Sequence, residues 1–176
     1  MRATVEWLLG QQLDDGGWNC ESIRSGSTHG SFHTSITVLE ALEAVASTPA
    51  AAGLSDAIEA AASRGREFLL VHHLYRSHRT GEVADPALLK WRFPPQWHYD
   101  VLRGLDHFRA VGAPYDDRLD DALGVVRRGR RDDGRWAHRS PYPGRTWFAL
   151  EGRGASRWNT LRALRVLRHY PEDERS

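Results

Sequence analysis

Cys20, His33, His98 and Asp100 offer a thiol, two imidazoles and a carboxylate, the donor types that hold zinc. Their spacing matches no strong metal signature, so packing and hydrogen bonding are the favoured reading, with zinc ligation the alternative. The same residues bear on proton transfer. An imidazole titrates near neutrality, which makes His98 the candidate proton carrier. Asp100 and His33 complete the candidate catalytic set. Capping competes with chemistry here, because helix starts favour Ser, Thr, Asp and Asn for their backbone bonds alone. Around these groups stand residues that could line a greasy pocket: Trp18, Trp97, Tyr99, Trp136, Trp158 and Asn159. Arg145 lies in an arginine- and aromatic-rich stretch, Tyr142 to Phe148. A guanidinium fork there would suit phosphate oxygens. The competing reading is a solvated loop, as for the similar stretch Tyr75 to Glu82, with arginines paired to Glu82, Asp85 and Glu151.

These residues fall at repeated places. Asp14-Asp15-Gly16-Gly17-Trp18 returns as Asp132-Asp133-Gly134-Arg135-Trp136. Arg2-Ala3 with Trp7-Leu8 returns as Arg64-Gly65 with Phe68-Leu69. Ser31-Phe32-His33-Thr34-Ser35-Ile36, Gln96-Trp97-His98-Tyr99-Asp100-Val101 and Ser156-Arg157-Trp158-Asn159-Thr160-Leu161 form a third series. The period is about sixty residues, and such periods signal stacked supersecondary units. Three units follow, about 1–50, 51–113 and 114–170, in one domain spanning 1–176. Each reads helix, irregular loop, helix. The first helices are expected over about 2–10, 55–75 and 117–130, and the second over about 33–47, 97–111 and 157–169. Apolar residues at three- and four-residue steps carry the expectation, as in Ile36, Leu39 and Leu42. Ser31 and Ser156 are candidate N-caps. Pro94 and Pro95 are expected to lead into a helix at Trp97. Arg162, Arg165 and Arg168 repeat at helical spacing and read as a wet outer face. No alternation long enough for a strand is present. The fold class is all-α, built from repeated helical hairpins. Equivalent positions of such repeats converge on one surface, which would gather the polar helix starts.

Composition sets the limits. The chain has 176 residues, 40% hydrophobic and 27% charged, with a net charge of +1. That balance fits a globular domain and argues against a nucleic-acid partner. One cysteine excludes an internal disulfide and suits a reducing cytoplasm. No run of about 18 apolar residues suggests a membrane span, and no export signal is read at Met1.

Arg2-Ala3, Trp7-Leu8, Gln12 and Gly16-Gly17-Trp18 together resemble the QW repeat of squalene and hopene cyclases. Those enzymes share the α/α-toroid superfamily with protein prenyltransferase β subunits. The second unit keeps Arg64 to Leu69 and lacks the Gly-x-Trp end. The third keeps Gly134-Arg135-Trp136, with Arg130 or Arg131 where Gln would stand. The resemblance implies a toroid or partial toroid whose cavity handles an isoprenoid or other hydrophobic substrate. It also implies zinc for a prenyltransferase-like member. It further implies an acidic Asp-x-Asp-Asp for a cyclase, and none of the pairs 14/15, 116/117, 120/121 and 132/133 completes that motif. The alternative is a non-catalytic scaffold for a hydrophobic ligand or a protein partner. In the motif itself, Gln12 is expected to tie a helix end to the free N–H groups of the next helix start. Three hairpins make about half a toroid, so homo-oligomerisation or another obligate partner, further repeats preceding Met1, or a small arc with adapted ends is expected.

Overall fold

The computed structural model describes residues 1–145 and 147–172. The helices are α1 (Arg2–Gly10), the short α2 (Glu21–Ser25), α3 (Phe32–Ala46), α4 (Ser55–Val71), α5 (Val101–Ala110), α6 (Asp120–Arg128) and α7 (Arg157–His169), and all but α2 form near where the apolar spacing places them. Among the described residues the only sheet is two residues deep, β1 (Trp136–Ala137) against β2 (Ala155–Ser156), so the protein is all-α in character. This antiparallel pair, with Trp136 opposite Ser156, closes the base of the 138–154 loop. Two residues per strand are too few to show as sequence alternation.

The chain divides into two compact units, Met1–His72 and His73–Ser176. The first holds α1 to α4. Ile36, Leu39 and Leu42 form the buried stripe of α3, which packs on α4, where Ile58, Phe68 and Leu69 are buried. α4 ends at Val71, short of the expected residue 75, because His73 and Leu74 take left-handed backbone angles that no helix continues.

The second unit holds α5, α6 and α7, with α5 packed on both others. Leu102, Leu105, Leu123, Val126, Ala163 and Val166 fill its core. α5 begins at Val101, not at Trp97. Gln96 has a φ of 52°, and the Asp100 carboxylate accepts from the Arg103 amide at 2.8 Å, the bond of an N-cap. α7 begins where expected, with the Ser156 hydroxyl accepting from the Asn159 amide at 3.0 Å. Ser31 precedes α3 in an extended conformation, yet no side-chain capping bond comes from it.

Candidate functional site

The repeated Asp-Gly-Trp segments fold into the same wiring twice. In the first unit Leu13 N–H donates to the Gly17 carbonyl and Gly16 N–H to the Leu13 carbonyl, both at 2.9 Å. In the second unit Arg131 N–H donates to the Arg135 carbonyl and Gly134 N–H to the Arg131 carbonyl, both at 2.8 Å. Asp15 accepts from Gly17 N–H, and Asp133 from Arg135 N–H, each at 3.0 Å. Gly16 and Gly134 supply the positive φ the turn needs, 85° and 77°. The indole of Trp18 donates to the Leu8 carbonyl (2.8 Å) and that of Trp136 to the Val126 carbonyl (2.7 Å). Their backbone amides donate to Ser35 Oγ and Thr160 Oγ1, the equivalent residues of α3 and α7. Arg130, not Arg131, stands where Gln would: its Nε reaches the Gly134 carbonyl at 3.3 Å, as Gln12 Nε2 reaches Gly16 at 2.7 Å.

Gln12 departs from the expected bond. It does not meet free N–H groups at a helix start. Its amide donates to the Ala61 carbonyl in the middle of α4 (2.8 Å), and its oxygen accepts from Arg64. A carbonyl has two lone pairs, so Ala61 can serve its helix and the clamp together. Trp18 lies on α4 at Gly65, where a Cβ would sit 2.7 Å from the indole. Trp18 is therefore a buried clamp. Trp136 is buried likewise and also borders a cavity of about 350 Å³ with Leu89, Trp91, Arg128 and Arg139.

The second unit holds a buried polar cluster. Asp100 is fully buried and Arg162 is 8% exposed. Arg162 thus leaves the outer face expected for it, while Arg165 and Arg168 remain on the surface. Its Nη2 stands 3.9 Å from Asp100 Oδ1 and its Nε 3.6 Å from Asp106 Oδ2. The buried Arg103 donates to the carbonyls of Gln96 (3.1 Å) and His98 (2.7 Å), fixing the turn before α5. Asn159 reaches the Trp91 carbonyl at 3.3 Å. Asp100 Oδ2, Arg162 Nη1 and Asn159 Oδ1 are buried with no hydrogen-bond partner among the described residues. Burial pushes the Asp100 carboxyl above its ordinary range, and the guanidinium of Arg162 opposes that shift. Sequence reasoning missed Arg162 because its spacing from Arg165 and Arg168 suits a solvent stripe. The single clue is that Ala163 and Val166 share its side of the helix.

Above this cluster three rings stack: Trp97 on His98 (3.8 Å between centroids) and His98 on Tyr142 (3.4 Å), with the Arg92 guanidinium 4.7 Å over Tyr142. Burial lowers the His98 pKa against a bond to the Pro95 backbone that raises it, and the charges of Arg92 and Arg103 push it lower. Burial, then the Asp100 charge, raises the Tyr142 phenol. Tyr99 is walled into the core, its hydroxyl donating to the Leu74 carbonyl at 2.7 Å; burial raises its pKa well above the ordinary value.

Beside the stack opens a cleft of about 480 Å³, within the range of small-molecule sites. Phe93, Pro94, Pro141, Trp147, Phe148 and Leu150 give it an apolar wall; Gln96, His138 and Glu151 supply polar groups. Phe93 stacks on Trp158 at 4.8 Å. Arg145 lies 4.3 Å over the ring of Trp147. The lining residues Gln96 and Pro141 adjoin Trp97-His98 and Tyr142 in the chain, which places the stack at the side of the cleft. Sequence spacing could not select Phe93, Pro94 or His138. The aromatic run Trp147-Phe148 was the visible signal.

The remaining candidates lie elsewhere. Cys20 is exposed and precedes α2, and His33 sits in the first turn of α3, both in the first unit. Among the described residues no three His, Cys, Asp or Glu side chains are grouped to hold a metal ion. Asp100 has one oxygen committed to its capping bond. In the loop after α4, Arg76 pairs with Asp121 at 2.6 Å rather than with Glu82 or Asp85.

Comparison with protein-family profiles, with curated proteins and with solved structures returns no match.

Proposed function

We propose that this protein binds an elongated apolar small molecule, of isoprenoid type, in the cleft of the second unit, as a non-catalytic relative of the cyclase and prenyltransferase toroids. The observation that carries the reading is the cleft: about 480 Å³, with a wall of Phe93, Pro94, Pro141, Trp147 and Phe148. The doubled clamp supports the toroid-like part, because both copies keep the Asp-Gly-Trp wiring of a repeat that joins helical hairpins. What supports binding over catalysis is the employment of the acids. Asp100 caps α5 and faces Arg162 in the core. Glu151 accepts from Ser156 Oγ at 2.7 Å and from the Trp158 amide at 3.1 Å. Asp100 does not line the cleft, and both oxygens of Glu151 are taken by bonds within the protein, so neither carboxyl stands free over the cleft.

Titration with farnesol or geranylgeraniol, read by tryptophan fluorescence, tests the proposal. Removing both Trp147 and Phe148 side chains deletes burial worth about 1.5–3 kcal/mol each, so Trp147→Ala/Phe148→Ala weakens binding by tenfold or more. Equal affinity in wild type and variant would sink the cleft as the site. Product formation from squalene or an isoprenoid diphosphate would sink the non-catalytic part.

A further inference from the structure

The charge balance of the whole chain conceals a division. Residues 1–72 carry four arginines against nine acidic residues, net −5; residues 73–176 carry twenty basic against fourteen acidic, net +6. Within 127–168 the imbalance is sharper, with twelve arginines against three acids. Arg135, Arg139, Arg145, Arg153, Arg157, Arg165 and Arg168 among them are exposed.

The same region exposes its largest apolar side chains. Trp147 is 80% exposed and Phe148 72%, followed by exposed Ala149 and Leu150. Four consecutive apolar residues on the surface are unusual in a water-facing loop. Arg145 and Arg153 flank them. The outward face of α7 repeats the composition. Trp158, Leu161 and Leu164 are exposed, and so are Arg157, Arg165 and Arg168; at helical spacing all six fall on one arc, with no acid among them. Loop and helix are joined: Arg157 donates to the Leu150 carbonyl at 3.2 Å, and Glu151 accepts from the Trp158 amide. They form one continuous surface in which aromatic and aliphatic side chains alternate with guanidiniums.

We infer that this surface docks the second unit onto an anionic lipid bilayer. Trp147, Phe148, Leu150, Trp158, Leu161 and Leu164 enter the interface, while the surrounding arginines meet lipid phosphates. Indole rings and arginine-bearing amphipathic faces settle at the headgroup boundary for these reasons. Each basic residue near an anionic surface adds to the attraction. Among the described residues no helix is long and apolar enough to cross a membrane, so the protein lies on the bilayer rather than spanning it. Single-stranded nucleic acid also takes arginines and aromatics. The aliphatic share of the surface, Ala149, Leu150, Leu161 and Leu164, has no counterpart on a stacked base and favours lipid. The surface shares Trp147, Phe148 and Leu150 with the cleft wall, while the outward face of α7 and its arginines lie outside the cleft.

Co-sedimentation of the full chain with large unilamellar vesicles tests it. Vesicles of equal phosphatidylcholine and phosphatidylglycerol are expected to retain the protein, with a blue shift of tryptophan emission, while pure phosphatidylcholine retains much less. Raising salt is expected to weaken retention. Arg165→Glu/Arg168→Glu should lower the partition coefficient more than tenfold, and Leu161→Ser/Leu164→Ser should reduce the residual, salt-resistant part. None of these four residues lines the cleft, so farnesol titration of the same variants separates membrane docking from ligand binding; both keep wild-type circular dichroism as surface changes. Failure to bind the anionic vesicles, retention unaltered in the two variants, or tight binding of a fluorescent oligo(dT) by a protein that ignores vesicles would each overturn the inference.

Discussion

Arg162→Met isolates a charge that the fold has taken out of water. Arg162 stands 3.9 Å from Asp100 and 3.6 Å from Asp106. At an effective dielectric of about 20, a unit pair near 4 Å is worth about 4 kcal/mol. Methionine fills much of the same volume, so lost packing is a small part of the effect. The carboxylate of Asp100, fully buried, then has two courses. It remains ionised and loses that attraction, or it takes up a proton. Protonation at pH 7 costs about 1.4 kcal/mol for each unit between the pH and an ordinary aspartate pKa near 3.9, or about 4 kcal/mol. The two limits coincide, and breaking one partner of a buried pair typically destabilises by 3–5 kcal/mol. The expected loss at pH 7 is therefore about 3–4 kcal/mol. Its pH dependence follows from the sign. Without Arg162 the folded-state pKa of Asp100 rises further above the unfolded value, so the folded state holds a proton that the unfolded state releases. Stability then falls as pH rises from about 4 towards the raised folded pKa. Urea unfolding of both proteins at about pH 7.5 and pH 5 should show a deficit that shrinks at the lower pH. Asp100→Asn keeps a capping oxygen, and combined with Arg162→Met it should recover most of the loss. An equal deficit at both pH values, or a double variant no better than Arg162→Met alone, would refute the assignment of Asp100 as the charge that Arg162 holds.

Three further outcomes are expected. Gly65→Ala gains about 1 kcal/mol of helix propensity, but its Cβ would lie 2.7 Å from Trp18 and 2.9 Å from Leu39. Both neighbours are buried, and the Trp18 ring is held by its bond to Leu8, so overpacking of about 1–3 kcal/mol wins; thermal melts should show a loss, whereas Gly10→Ala, which meets open space, should not. Gln12→Ala removes the bond to Ala61 in α4 and should lower stability by about 1–2 kcal/mol in denaturant titration, more than Arg130→Ala, whose bond is longer and exposed. Asp116 is held at about 2 by its hydrogen bonds to Arg118. Its contribution is present above the ordinary aspartate pKa and is lost as pH falls towards about 2, so an acid titration of Asp116→Asn followed by circular dichroism should have a shallower limb than wild type.

Helix placement was legible because apolar residues kept a helical period: all six main helices arise within a few residues of their expected spans. The misplaced ends are backbone events. α5 starts late because Asp100 caps it and Gln96 turns left-handed, and α4 stops early at His73. Neither residue type announces such angles. The clamp was legible as a motif, while its acceptor was not, since a mid-helix carbonyl leaves no trace in the letters. The candidate site was legible only in part. His98 and Asp100 proved to be neighbours in one unit, but Asp100 faces inward and His98 lies between two rings. Phe93 and His138 join the cleft through long-range folding that spacing alone does not encode.

The two clamps differ at the residue that donates to the turn, an amide from Gln12 and a guanidinium from Arg130, while the accepting carbonyls of Gly16 and Gly134 keep their place. The turn keeps its wiring although its letters differ, and what changes is the reach of the donor: Gln12 extends on to Ala61 in α4, while Arg130 ends at the turn. For a designer of helical arrays, the portable part is the Asp-Gly turn with its indole two residues on. The donor position accepts a neutral amide or a guanidinium, so neighbouring units can be given different charge while the turn itself is kept.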